Sequence, residues 1–182
     1  MQPDWPTVGE LIEVVDSDNR PLAVLPDALV HYQGLHHRSV AVIVHDRHNR
    51  AFLRKRSAGE FPYPGRWDLS ACGHVLAGES VREAALRRLK GSTGLSVGRI
   101  KILYLISGRK ETNYEFVYFI SAGRIKRVPA TETEPGSLFL DPQGLKEFVL
   151  ENPEDLTPWL VYFWRLGLIF RQGKLPPARE QV

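Results

Sequence analysis

With one cysteine in the whole chain, Cys72, an internal disulfide is excluded, and the fold must be held by packing. Charge of one sign is also scarce: 24 lysines and arginines against 21 acidic residues leave a formal +3. That excess is too small and too scattered along the chain to read as a nucleic-acid footprint. Long hydrophobic runs are missing as well. The longest, Trp159 to Phe170, is interrupted by Arg165 and falls short of the roughly 20 residues a membrane span needs. Met1-Gln-Pro-Asp-Trp-Pro6 has neither the charged nor the apolar region of a secretory signal, so a cytoplasmic protein is expected. What is present, 43% hydrophobic and 25% charged residues, suits one globular domain over 1–182, with no linker that would split it.

The hydrophobic pattern predicts a hairpin, Leu11 to Asp16 and Pro21 to Leu25, turning at Asp18-Asn19. Val40 to Val44 reads as a buried strand and Ala51 to Arg56 as its alternating partner. A loop with Phe61-Pro-Tyr-Pro-Gly65 leads to a strand-like Trp67 to Val75. Ser80 and Glu83 have capping-box spacing, and Val81, Ala84, Ala85, Leu86 and Leu89 form the stripe of a helix expected to end near Lys90. Strands follow at Ile100 to Ile106, Tyr114 to Ile120 and Ser137 to Leu140. Helices are expected over Pro142 to Leu150 and Asp155 to Phe170, then a frayed tail from Gln172. The fold class is α+β, a mixed sheet with helices on its faces as an α/β/α sandwich.

One segment carries a motif. Gly73-His-Val-Leu-Ala-Gly-Glu79, seven further residues, Arg87, and then Gly94-Leu95 match in spacing and resemble the Nudix box; Pro64-Gly65-Arg66-Trp67 upstream also looks like that superfamily. In the family, glutamates after the arginine lie a helical turn apart and hold the Mg²⁺ that polarises a substrate diphosphate. Here those positions are Arg88, Gly91 and Ser92. Mg²⁺ draws its affinity from hard, negatively charged oxygens, so the resemblance comes with a doubtful magnesium site and impaired hydrolysis. Glu79 and Glu83 survive, with Glu83 read as the cap and as an i,i+4 partner of Arg87.

Trp67-Asp-Leu-Ser-Ala-Cys-Gly-His74 followed by Gly78-Glu79-Ser80 resembles the isopentenyl-diphosphate-isomerase branch of the superfamily. The resemblance implies Cys72 and Glu115 as catalytic residues. It implies His31, His37, His74 and Glu115 as metal ligands, and Arg56, Arg88 and Trp159 as substrate contacts. On a strand, residues i and i+2 share a face, so Cys72 and His74 should meet one cavity. A nitrogen-rich set of that kind suits Mn²⁺, Zn²⁺ or Fe²⁺. The implied chemistry is allylic proton transfer, in which one group protonates an alkene carbon and another removes a proton two carbons away. The chain departs from the branch in having Asn113 for a second glutamate ligand, Glu60 for a diphosphate-binding lysine and Ser92 for a magnesium glutamate. Its loop Ser107 to Asn113 is also shorter, and the branch's catalytic tyrosine has no counterpart.

Blander readings stand beside these. A lone strand cysteine is commonly a small buried hydrophobe, His36 and His37 beside Arg38 a turn pair, and Trp159, Tyr162, Phe163, Leu166 and Phe170 a helical core stripe. Arg54, Lys55, Arg56, Arg87 and Arg88 could form solvated faces. Three functions remain open: an isomerase-like enzyme, a pyrophosphohydrolase recruiting metal through Glu79, Glu83, Glu115 or Glu111, and a non-catalytic module sensing a phosphorylated ligand. In each the partner is a small diphosphate-bearing molecule, with neither nucleic acid nor membrane involved.

Overall fold

The computed structural model describes residues 9–60, 62–126 and 136–171, leaving outside them Phe61, the first residues and the tail expected to fray from Gln172. The hairpin forms as β1 (Leu11–Val15) and β2 (Pro21–Pro26), paired antiparallel around Asn19. A helix that the sequence pattern did not announce, α1 (Asp27–Gln33), follows at once. It is short, has no side-chain N-cap and buries only Val30, so it carries little periodic signal. Gly34 in the left-handed region ends it and turns the chain into β3 (His37–Asp46).

Strand β3 is the axis of the sheet. It runs parallel to β8 (Glu115–Ile125) along one side, and β8 in turn pairs antiparallel with β7 (Lys101–Ile106). On its other side β3 meets β1, β6 (Ala71–His74) and β4 (Ala51–Lys55) at successive positions, all antiparallel. Strands β5 (Trp67–Asp68) and β9 (Ser137–Leu140) flank β4. The expected single strand from Trp67 to Val75 is thus two short ones. Between them the buried Ser70 hydroxyl donates to Phe52 O and accepts from Val44 N.

Alternation along β3 sorts the molecule into two layers. Val40, Val42 and Val44 pack with Ala71, Ile120 and Ala84, Ala85 and Leu89 of helix α2 (Val81–Thr93). Ala41 and Ile43 face the other way, onto a larger cluster with Val117, Phe119, Leu145, Leu160 and Phe163. Leu145 belongs to α3 (Pro142–Glu151), and Leu160 and Phe163 belong to α4 (Pro158–Arg165). Mixed pairing with helices on both faces is the expected α+β architecture.

Helix limits differ from expectation at two places. Helix α2 begins with the predicted capping box, Ser80 and Glu83, but continues through Gly91 and Ser92 to Thr93. Buried Thr93 donates its hydroxyl to Leu89 O at 2.7 Å, and Gly94 at φ 68° closes the helix. The last helix is shorter than the apolar run suggested. Thr157 caps it, a 3₁₀ turn at Pro153–Asp155 precedes it, and the chain leaves it before Gly167, at φ 64°.

Candidate functional site

The odd-numbered face of β3 carries more than core. His37 lies opposite Glu115 of β8, Ser39 opposite His74 of β6, and Ala41 opposite Cys72. Cys72, His74 and Glu115 therefore share one face with His37, and α1 swings His31 over it. The three imidazoles converge, with ring centroids 4.7, 5.0 and 5.3 Å apart. One nitrogen from each lies within 4.8 Å of the others, a set that could hold a metal ion.

Partners fix which nitrogen of each ring is offered. His37 Nδ1 donates to Leu35 O at 2.9 Å, leaving Nε2 as a lone pair that is buried and without a hydrogen-bond partner. Such an orphan costs about 1–3 kcal/mol, and a metal ion is one partner that would satisfy it. Burial holds the His37 pKa down at about 3, against the help of the Leu35 carbonyl, so the ring stays neutral and able to ligate. The Asn113 amide, 3.0 Å from His31 Nδ1, donates to it as oriented, which puts the His31 proton on Nε2. That proton points to His74 Nε2 at 2.9 Å, so His74 carries its own on Nδ1, facing Glu10 Oε2 at 3.6 Å. The result is a chain from Asn113 through two histidines to a carboxylate.

The donor set fits a transition metal: three imidazoles, each with its second nitrogen turned toward a polar partner. Asn113 stands as a partner behind His31, and exchanging its amide oxygen and nitrogen would make it the acceptor that a ligating His31 requires. Glu115 is buried beside His37, and burial raises its pKa while Ser39, His74 and Asn113 draw it down.

Cys72 is half-buried, its Sγ 3.7 Å from Asp68 Oδ1. Burial first and then Asp68 push its thiol pKa well up, outweighing Arg54 and Arg56. Asp68, which no motif pointed to, is a buried hub. It accepts from Arg56 Nη1 at 2.9 Å, from Thr157 Oγ1 at 2.8 Å and from Leu69 N. Arg54 is buried as well and forks onto Glu60, the Nη1 bond being 2.7 Å, which corrects its reading as a solvated side chain. Glu60 thus spends its charge on Arg54, whose bond offsets burial and holds the Glu60 pKa near 2. Trp159 is half-buried, stacked on Phe163 at 5.7 Å, and packs against the same apolar cluster as Cys72.

The signature helix is organised around arginines. Arg87 pairs with Glu79 through two bonds of 2.7 Å and donates to His74 O, so its expected partnership with Glu83 is not made. Glu83 serves the cap alone. Arg88 points inward, bonded to Glu10 and lying across Gly73, where a Cβ would come within 2.3 Å of its Nε. Gly73 also holds φ at 152°, a conformation L side chains rarely adopt, which favours glycine between Cys72 and His74. Glu10 is held at a pKa near 2 by His74 and then by Arg88 and Arg87 against the pull of burial. No local pattern marks it, because its partners lie far along the chain.

No helix among the described residues is long and apolar enough to cross a membrane. The chain is 29% identical over 161 residues to an isopentenyl-diphosphate Delta-isomerase of Serratia proteamaculans, covering 85% of this chain and 89% of that one. A Nocardia farcinica isopentenyl-diphosphate Delta-isomerase is also 29% identical, over 82% of this chain and 90% of its own. An uncharacterized Nudix hydrolase of Pseudomonas aeruginosa is 36% identical over 87 residues, about half of each. Among solved structures, DR0079 from Deinococcus radiodurans superposes with a TM-score of 0.74 at 17% identity, covering 86% of this chain and 98% of that one, a likeness of fold. The NUDIX domain matches residues 35–166, from β3 through the signature helix to the end of α4, and the chain belongs to the Nudix family.

Proposed function

We propose that this chain is an enzyme acting on a small diphosphate-bearing molecule, with allylic proton transfer of the isopentenyl-diphosphate-isomerase kind carried by Cys72 and Glu115. The observation that carries the reading is the convergence of His31, His37 and His74, with His37 Nε2 buried and unpartnered, on the face that also bears Cys72 and Glu115. The relatives named isopentenyl-diphosphate Delta-isomerase, matched over most of both chains, support it.

Cys72 and Glu115 flank β3 from opposite sides, four register positions apart, with the small Ser39 and Ala41 between them. A short alkenyl chain lying across those residues would meet a proton carrier at each end. One carrier gives a proton to the alkene carbon, whose π electrons form the new C–H bond. The other takes a proton two carbons away, and that C–H pair becomes the new double bond. A thiol held protonated suits the first task, and a buried carboxylate, more basic than an exposed one, suits the second. Zn²⁺, Mn²⁺ or Fe²⁺, when bound, would supply positive charge that draws Glu115 toward its ionised form. Arg56 and Arg88 are the candidate diphosphate contacts, each meanwhile pinned by a carboxylate, Asp68 and Glu10. Trp159 offers an aromatic face for charge developing on carbon. The reading takes residues 1–182 as one Nudix domain, working in the cytoplasm.

The surviving signature glutamates argue against ordinary hydrolysis, since Glu79 is engaged by Arg87 and Glu83 by the cap. The test is to incubate metal-loaded protein with isopentenyl diphosphate in D₂O and follow deuterium entry into the allylic positions by NMR, with phosphate release read in parallel. Deuterium entry that Cys72→Ser and Glu115→Gln both abolish is expected. Phosphate release without exchange would replace the isomerase reading by the hydrolytic one, and neither signal would leave a binding role.

A further inference from the structure

Glu10 precedes the matched segment at 35–166 and lies outside the signature at 73–95, yet its carboxylate stands where the two halves of the site meet. Its Oε2 is 3.6 Å from His74 Nδ1 and accepts a hydrogen bond from Arg88 Nη2. Its Oε1 is 3.9 Å from Arg87 Nη1. The backbone is fixed there too, because Glu10 O accepts from Asp27 N, the first residue of α1, at 2.9 Å. One residue therefore positions α1, which carries His31, and touches His74.

A histidine that ligates through Nε2 must keep its proton on Nδ1, and that proton needs an acceptor to hold the ring's tautomer and direction. His37 has the Leu35 carbonyl, and His31 has Asn113 once its amide is exchanged to present oxygen; for His74 the carboxylate in that place is Glu10. Building on the three-histidine reading above, we propose that Glu10 is the positioning carboxylate of the metal centre, orienting His74 for ligation while tethering Arg88 of the signature helix to it. At the present 3.6 Å the two groups stand just beyond hydrogen-bond reach, and a small turn of the imidazole would bring them within it. Because Arg88 and His74 compete for one oxygen, Glu10 also sets how strongly each is held.

The test uses the full chain, stripped by chelator and titrated with Zn²⁺ against a chromophoric competitor, with apo melting followed alongside. Glu10→Gln should weaken Zn²⁺ binding by roughly 10–100-fold, the usual cost of losing an outer-shell partner, and Glu10→Asp should recover part of it. Arg88→Met, which frees Glu10 for His74, should bind Zn²⁺ at least as tightly as the wild type. A role limited to bracing the fold would make Glu10→Gln and Arg88→Met equally damaging, and that result would overturn the proposal. So would Glu10→Gln affinity within about twofold of wild type. If Glu10→Gln melts early, Glu10→Asp decides, since it keeps the charge and shortens the reach: weaker Zn²⁺ at unchanged melting supports the role, and unchanged Zn²⁺ binding removes it. His74→Ala separates the two readings. Wild-type affinity in that variant sinks the histidine centre and Glu10 with it, whereas lost affinity there beside a wild-type-like Glu10→Gln sinks Glu10 alone.

Discussion

Helix α2 and the histidine cluster meet at Gly73 and His74, yet they offer a cation opposite things. At the positions where the family gathers magnesium carboxylates, α2 presents Arg88, Gly91 and Ser92, while Glu79 just before it is taken by Arg87 and Glu83 by the cap. Across the sheet, three imidazoles bring one nitrogen each together, that of His37 buried without a partner. A cationic helix end repels a divalent ion where a nitrogen-rich pocket attracts one. The comparison teaches that losing the signature carboxylates removes one centre without touching the strands that build the other.

The strongest way to break this contrast is His37→Ala. His37 is fully buried at the head of β3 and offers the one unpartnered imidazole nitrogen of the cluster. Metal binding should fall by more than the roughly 10–100-fold that an outer-shell loss costs, read as metal content by elemental mass spectrometry. Retention of stoichiometric metal would move the centre elsewhere. The opposite experiment restores the helix: Arg88→Glu, Gly91→Glu and Ser92→Glu together place carboxylates along α2 next to Glu10. Mg²⁺ should then bind with a dissociation constant on the order of 1 mM or below by calorimetry, about −4 kcal/mol. Absence of binding would mean that the helix has lost more than its ligands.

How much of this contrast the sequence disclosed depends on reach along the chain. The signature carried its own spacing, so the fold, the capping box and the loss of the carboxylates were all legible within residues 73–95. Cys72 and His74 were placed on one face by strand periodicity alone. The helix that brings His31 to the cluster carried no local signal, because α1 has one buried residue and no side-chain cap. Glu10, Asp68 and Asn113 as hydrogen-bonding partners were invisible for a different reason. Their contacts span 78 residues to Arg88, 89 to Thr157 and 82 to His31, distances over which no local pattern speaks. Asn113 and Glu60 looked like plain defects until Asn113 was found against His31 and Glu60 against Arg54.

The β4 network sharpens the comparison by pH. The Glu60 pKa is lowered to about 2 from 4.5, so its contribution is complete above about 4.5 and is lost as pH falls through about 2. Protonation leaves the buried Arg54 guanidinium unpaired. Since Glu60 is itself partly solvated, screening limits the loss to on the order of 1–2 kcal/mol, read as a falling urea midpoint between pH 5 and about 2.5. The same loss in Glu60→Gln, which has no carboxyl to titrate there, would assign the effect to other acids.

Gly91 offers the smallest effect and the cleanest reading of what α2 has become. It lies exposed in the last turn of the helix, its φ is not positive, and a Cβ there would meet nothing within 4 Å. Nothing in the backbone requires a glycine, unlike Gly73, where Arg88 fills the space a side chain would need. Gly91→Ala should therefore stabilise the fold by about 0.5–1 kcal/mol through helix propensity, read as a rise in the urea midpoint at unchanged slope. Zn²⁺ affinity should not change, because the residue is on the helix that gave up its metal. A destabilised Gly91→Ala, or one that alters metal binding, would show that the end of α2 moves when the histidine centre is filled, and that the two regions are coupled beyond Glu10.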